Sequence, residues 1–449
     1  MTDAERLSLF ESMPVPTAVR KQITPAIISQ MIALVYQLAD TYFIGLLNLP
    51  AQTAAVTVAY PSFLMLTAIS NLFGVGGASA LSRALGRHDE HSAGQISAVS
   101  FWFGLLAAGL YVLLYAVLRA PILRLSGASE DTLPLALGYV RWVVLIGGVP
   151  TVLNILLSNL VRAEGRAGQA SFGVSLGGVL NLLLDPLFIL PRFLNLGAAG
   201  AGLATALSNL VSMGYLLWVI LRGETVLRLS PKLLRTPRRH LGGIVSIGFP
   251  SALQYALTVV AVSAQAKFVS AYPTAAVAAL GITKKIDQLP LYFSIGVSSG
   301  ILPLLAYNHA SGDVKRRRSV FRWGVGVSLG FALCCLVVFE LFAPQLASVF
   351  IRDAETVSYA AAFLRRMVTA MPLMSVAYPL IIQFQAMGRA RESLVCSVLR
   401  KGVLDIPLLF WMDALVPLYG LMWVQPIVDL ISLTVALLLY LRIRKKESL

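Results

Sequence analysis

The chain has 449 residues, of which 57% are hydrophobic and 13% charged, and its formal net charge is +15. Soluble domains carry about 25% charged residues, so this composition excludes a water-soluble protein. The positive charge does not indicate nucleic-acid binding, because the basic residues cluster in short connectors between apolar segments.

Twelve apolar segments follow one another, each long enough to cross about 30 Å of hydrocarbon as an α-helix. The length of these runs and their weak alternation argue against a transmembrane β-barrel. We predict an all-α polytopic membrane protein with spans at 23–46, 53–80, 95–118, 133–160, 168–190, 197–221, 242–268, 275–307, 321–343, 357–384, 392–411 and 420–441.

The basic residues also predict orientation. Roughly 24 Lys and Arg fall on the side of both termini and about 5 on the other, an asymmetry that predicts cytoplasmic termini. The longest connector, 222–241, is basic and divides the spans six and six. We therefore expect an N-terminal lobe at 1–221, a cytoplasmic basic linker at 222–241 and a C-terminal lobe at 242–449.

The two halves resemble each other in sequence. "TAAVTVAYP" at 53–61 recurs as "TAAVAALGI" at 274–282, and "GRAGQASFGVSLGGVLNLLLDPLF" at 165–188 matches "GRARESLVCSVLRKGVLDIPLLF" at 388–410. Halves with an even number of spans start on the same side, which predicts parallel repeats with substrate bound between them near the bilayer midplane. This architecture is typical of transporters.

Two carboxylates interrupt the apolar runs of the first half, Asp40 in the first span and Asp185 in the fifth. An ionised Asp at the centre of a membrane helix costs about 2.5–3.5 kcal/mol, and a low-dielectric environment favours its neutral form. Tyr36 precedes Asp40 by four residues and Asn181 precedes Asp185 by four, so each pair shares a helix face.

Pro186 strengthens the argument for an ion site at these acids, because it leaves the carbonyl of Leu182 without its helical hydrogen bond. A carbonyl, an amide oxygen and carboxylates are hard ligands suited to a proton or Na⁺. The alternative is that Asp40 and Asp185 are buried, hydrogen-bonded residues that only fix helix packing.

The acids of the second half have basic neighbours. Lys284 and Asp287 are spaced i, i+3, which predicts an internal ion pair. Lys401 and Asp405 are spaced i, i+4, and Asp405 falls near Asn181 in the repeat alignment. Because these acids have bases nearby, we expect them to have a structural role. We predict no enzyme activity, cofactor or metal site apart from Na⁺ at the coupling site, because the sequence contains no nucleophile–base set, metal-ligand cluster or phosphate-binding loop.

Several motifs resemble the multidrug and toxic compound extrusion (MATE) transporters, specifically their MepA-like prokaryotic branch. The match runs nearly end to end and includes "ADTYFIG" at 39–45, "NLFGVGGASALSRALG" at 71–86, "GGVLNLLLDP" at 177–186, "GAGLATALSN" at 200–209 and "FQAMGRARES" at 384–393. The resemblance implies twelve helices in two pseudo-symmetric six-helix lobes around a V-shaped cavity.

The resemblance also implies a function. It implies a monomer in the prokaryotic cytoplasmic membrane that exports amphipathic, often cationic drugs in exchange for H⁺ or Na⁺. The family's coupling-ion positions match Asp40, Asn181, Asp185 and Thr205. We expect bending of the first helix at Pro25, and a substrate cavity lined by Tyr36, Gln37, Phe63, Asn154, Gln254 and Asp287.

Two other functions stay open. A flippase of lipid-linked precursors needs positive charge in the cavity, which Lys284, Lys285, Arg400 and Lys401 could provide. A non-transporting membrane scaffold or sensor would leave the repeat and the intramembrane acids unexplained. The sequence names neither the substrate nor the coupling ion, because oxygen ligands serve both H⁺ and Na⁺.

Overall fold

The computed structural model describes residues 2–47, 49–235 and 237–447, and every regular element in that part of the chain is helical. It begins with a short helix, Asp3–Leu7, capped by Thr2 and continued by a π-helical turn, Ser8–Ser12. We call residues 3–12 the N-terminal strap. Pro14 then precedes the first long helix.

Six helices make up the first half. The fourth consists of Leu133–Val140, a π-helical segment Arg141–Ile146 and Gly148–Ala163, and it is bent by 48°. The others are α1 (Val15–Gly45), α2 (Pro50–Gly86), α3 (Glu90–Leu125), α5 (Ala167–Ile189) and α6 (Gly197–Arg222), with the bent helix as α4.

The second half repeats this order. The tenth helix is bent by 46° between Ala354–Met367 and Ala370–Ala386, and the eleventh is divided into Ala390–Val398, a π-helical segment Leu399–Val403 and Asp405–Leu415. These are α10 and α11. The remaining helices are α7 (Pro237–Val269), α8 (Thr274–Ala310), α9 (Val314–Ser348) and α12 (Gly420–Glu447).

The prediction of an all-α membrane protein is confirmed. Within the described residues, nine single helices are long and apolar enough to span a membrane, and the two bent pairs bring this number to eleven. The divided α11 lies at the predicted span 392–411 and accounts for the remaining one of the twelve. The bends and π-helical segments were not predicted, since hydropathy reports the length of an apolar run and not its local hydrogen-bonding pattern.

The two halves contact each other near one end of the bundle. Both described chain ends lie at this end, which we call the terminus face. Here α1 packs on α8 and α2 packs on α7. Glycines allow the backbones to approach: a Cβ atom on Gly248 would lie 1.7 Å from the carbonyl oxygen of Leu72, and one on Gly76 would lie 2.1 Å from that of Ile244. The terminus face is thereby sealed.

The connector at 222–241 packs against the first half over part of its length. The hydroxyl of Ser97 donates to the carbonyl of Arg228 at 3.0 Å, and the indole of Trp102 donates to that of Leu229 at 2.9 Å. Glu164, in the turn after α4, accepts from the hydroxyl of Thr225 at 2.5 Å. This stretch is therefore docked on α3 and the α4–α5 turn.

Candidate ion-coupling site

The polar centre of the first half is built on α5 and α6. Asn181 and Asp185 stand one turn apart on α5 and are 2% and 0% exposed. The side-chain amide of Asn181 donates to the Asp185 carboxylate and to the Thr205 hydroxyl of α6, both at 3.4 Å. These long hydrogen bonds hold the carboxylate loosely and leave one of its oxygens without a partner among the described residues.

Asp40 reaches the same centre from α1. Gly178 of α5 makes room for the first helix, since a Cβ atom there would lie 3.1 Å from the ring of Tyr36. Tyr36 and Asp185 both lie within electrostatic range of Asp40. One buried oxygen of Asp40 has no hydrogen-bond partner among the described residues.

The charge of this centre is uncompensated. Within the described chain, neither Asp40 nor Asp185 forms an ion pair with Lys, Arg or His. Asp40 acts electrostatically on Asp185, and two ionised carboxylates within such range repel each other in a low-dielectric environment. A bound proton or cation therefore stabilises the pair. The unpartnered oxygens supply acceptors for such an ion.

Further polar residues extend the centre beyond the predicted set. The amide of Asn154 on α4 donates to Asn209 of α6 at 2.9 Å, and Asn209 donates to the backbone carbonyl of Thr205 at 3.0 Å. Tyr139 of α4 lies within electrostatic range of Asp40 and Asp185. Asn209 was not predicted, although its i, i+4 spacing from Thr205 places both on one face of α6.

The predicted cavity residues lie in different places. Gln37 of α1 accepts a hydrogen bond from the hydroxyl of Tyr292 on α8 at 2.8 Å, which joins the two halves. Phe63 packs beside Tyr60 with ring centroids 6.4 Å apart. Gln254 of α7 donates to the hydroxyl of Tyr378 at 3.4 Å, within the second half. Pro25 lies inside the continuous helix α1.

The ion pair predicted between Lys284 and Asp287 is wrong as a direct contact. Neither residue forms an ion pair within the described part of the chain. Lys401 donates to the side-chain carbonyl of Gln425 at 2.7 Å. The direct ion pair of this region joins Arg400 and Asp429 at 2.7 Å, both nearly inaccessible to solvent. Spacing along a single helix could not reveal it, because Asp429 lies on α12.

The repeat and the fold identify the family. A MatE family model matches residues 25–187 and again 250–411. The chain belongs to the MatE family. This agrees with the resemblance to MATE transporters, and the double match agrees with the internal repeat.

Individual relatives cover almost the whole chain. A protein named multidrug export protein MepA from Staphylococcus saprophyticus is 28% identical over 442 residues, which is 98% of this chain and 97% of that protein. A protein of the same name from Staphylococcus aureus strain MRSA252 is 29% identical over 97% of this chain and 96% of its own length.

The solved structures give the same architecture. A structure described as the outward-facing conformation of a multidrug resistance MATE family transporter of the MOP superfamily superposes with a TM-score of 0.91. It covers 100% of this chain and 99% of its own, at 22% identity. The prediction of two pseudo-symmetric six-helix lobes is confirmed at the level of the fold.

Proposed function

We propose that the protein is a multidrug efflux antiporter that exports amphipathic, often cationic compounds in exchange for H⁺ or Na⁺ by alternating access. The observation that carries this proposal is the pair of carboxyl groups of half-buried Asp40 and buried Asp185, which have no cationic partner in the described chain and each retain a buried, unpartnered oxygen. The export function named for the two staphylococcal relatives supports the substrate class.

The proposed cycle begins in the state described here, which is sealed at the terminus face and which we assign as outward-facing. Protonation or Na⁺ binding neutralises Asp40 and Asp185 and changes the hydrogen bonds around α1. The helix then bends near Pro25, the cavity contracts and the compound leaves. Release of the ion on the cytoplasmic side resets the site. One inward elementary charge supplies about 2.3 kcal/mol per 100 mV.

Selectivity for cationic compounds follows from the same charges. A cation entering the cavity interacts favourably with the ionised acids, and neutralisation of these acids removes that attraction. Ion and compound therefore compete for one negative charge, which is the coupling that antiport requires. We propose that the protein does this as a monomer in the cytoplasmic membrane with both termini in the cytoplasm.

The test is efflux of a cationic dye from cells or liposomes carrying wild type, Asp40→Asn, Asp185→Asn or the double variant. We expect each variant to lose efflux driven by an ion gradient. Asp131→Asn, in an exposed loop, serves as the control because it removes the same charge at the surface and not in the polar centre. Wild-type efflux by both Asn variants would refute the assignment.

The coupling ion is identified by the same assay in Na⁺ or choline buffers across a pH series. Proton coupling predicts that the efflux rate depends on the pH gradient and is the same in Na⁺ and choline buffers. Sodium coupling predicts loss of efflux in choline at every pH.

A further inference from the structure

A polar cluster in the second half occupies the position that corresponds to the ion-coupling site of the first. The two MatE matches make α7 and α11 the repeats of α1 and α5, and α12 follows α11 along the chain as α6 follows α5. Lys401 and Asp405 stand one turn apart on α11, as Asn181 and Asp185 do on α5. Lys401 contacts the next helix through Gln425 at 2.7 Å. In the alignment of the two matches Asp405 falls near Asn181, so polar side chains recur at this level of the repeat without a residue-by-residue copy of the first site.

The first helix of each half shows how the two sites differ. Pro25 and Pro250 begin the two matched regions, and fifteen residues later α1 carries Asp40 where α7 carries Gln265. Gln265 is 7% exposed and donates to the backbone carbonyl of Leu421 at 3.2 Å. The second half thus has a neutral amide in place of one of the two acids.

The charges that face Asp405 are balanced. Lys401 and Arg400 on α11, Lys284 and Asp287 on α8, and Asp429 on α12 all lie within electrostatic range of this cluster. With Asp405 itself they make three cations and three anions. Around Asp40 and Asp185, by contrast, the described titratable groups within this range are tyrosines, apart from the two acids themselves.

Asp405 needs a positive charge nearby. It is 5% exposed, and one of its buried oxygens has no hydrogen-bond partner among the described residues. An uncompensated buried carboxylate costs several kcal/mol. Arg400 is already committed to Asp429, whereas Lys401 and Asp405 line one cavity of about 300 Å³ between α7 and α11. The flexible ammonium of Lys401, one turn before Asp405 on the same helix, lies within electrostatic range of that carboxylate and is not paired with another acid among the described residues.

We propose that the ammonium group of Lys401 acts as a resident cation in the second-half counterpart of the ion-coupling site. It holds Asp405 compensated throughout the cycle, so that the coupling ion is exchanged in the first half alone. This inference rests on the proposed function of Asp40 and Asp185. It assigns Lys401 as the residue that limits the protein to one ion-coupling site.

The inference predicts that removing the ammonium creates a second ion site. In Lys401→Gln, Asp405 must bind a proton or Na⁺ from solution. Proton uptake by purified transporter is counted with a pH-sensitive dye during a shift from alkaline to mildly acidic conditions, with Na⁺ or choline present. We expect Lys401→Gln to take up one more proton per molecule than wild type, or to bind one more Na⁺.

Two matched variants separate charge from side-chain size. Lys401→Arg keeps a cation and should retain the wild-type count. Lys401→Gln/Asp405→Asn should lose the additional ion, because it lacks the carboxylate. Equal uptake by wild type and folded Lys401→Gln in both salts would overturn the inference.

Two further outcomes are decisive. If Lys401→Gln does not yield folded protein, recovery of folded protein in Lys401→Gln/Asp405→Asn supports the inference, and its absence contradicts it. The Asp40→Asn/Asp185→Asn variant tests the first half separately. Proton uptake equal to wild type in this double variant would refute the proposed function. The additional uptake expected of Lys401→Gln depends on Asp405 and tests the further inference separately.

Discussion

The N-terminal strap ties both halves of the protein together at the terminus face. Leu9 and Phe10 of the strap are fully buried, and the Phe10 ring stacks on Tyr307 of α8 with centroids 4.5 Å apart. Arg316 at the start of α9 donates to the carbonyls of Phe10 at 2.7 Å and Leu9 at 3.1 Å. In the first half, Arg6 pairs with Glu90 of α3.

We predict that Arg316→Ala weakens the seal of the terminus face. A hydrogen bond to a charged group contributes about 1.5–3 kcal/mol. The contribution is smaller at Arg316, because its half-buried side chain can also form hydrogen bonds with water. The two lost bonds then amount to about 2 kcal/mol in favour of the sealed state. Because 1.4 kcal/mol corresponds to a factor of ten, the ratio of open to sealed molecules should rise roughly 30-fold.

The assay is a distance measurement between spin labels at Arg222 and Arg391, which are exposed and lie at the terminus face in different halves. The native cysteines are replaced first. Arg316→Ala should shift the distance distribution toward longer values. Lys315→Ala is the control, since it removes a neighbouring exposed charge with no described contact to the strap. Identical distributions for Arg316→Ala and wild type would refute the role of the strap.

Three further predictions concern stability and closure. Asp429→Asn should lower the thermal unfolding midpoint in detergent, because breaking a buried ion pair costs about 3–5 kcal/mol; Arg400→Met/Asp429→Leu should lower it far less. Burial raises the pKa of Glu164 above its ordinary value of 4.5, so the folded state binds the proton more readily than the unfolded state. The free energy of unfolding should therefore fall as the pH rises from 4.5 through the pKa of the folded state. In unfolding midpoints measured across this pH range, Glu164→Gln should lack the decline seen in wild type. An equal decline in the variant and in wild type would contradict the role of Glu164. Tyr292→Phe loses the bond to Gln37 between the halves, about 1 kcal/mol, and should raise the open fraction about fivefold in the same spin-label measurement.

Much of the fold could be predicted from the sequence because the membrane imposes a single rule. Each apolar run long enough to cross the bilayer must satisfy its own backbone, which only a helix does. The predicted span 168–190 coincides with α5 at Ala167–Ile189, and 197–221 coincides with α6 at Gly197–Arg222. The two isolated acids were visible for the same reason, since a charge stands out in an apolar run.

The residues that were missed depend on contacts between distant segments. Arg400 and Asp429 are 29 positions apart and come together only when α11 packs on α12. The sequence gives no sign that Asn209 belongs to the site, because its hydrogen bond with Asn154 joins two different helices. The strap lies outside the apolar runs, so hydropathy gave no reason to expect Phe10 in the core.

The backbone contact at Gly248 offers a way to control the protein experimentally. An added methyl group there would collide with the carbonyl oxygen of Leu72, which lies 1.7 Å from the Cβ position. Gly248→Ala should thus exclude the sealed arrangement by sterics alone, with every ionisable side chain left intact. Such a variant would supply homogeneous material for selecting antibody fragments or inhibitors that recognise the opposite conformation.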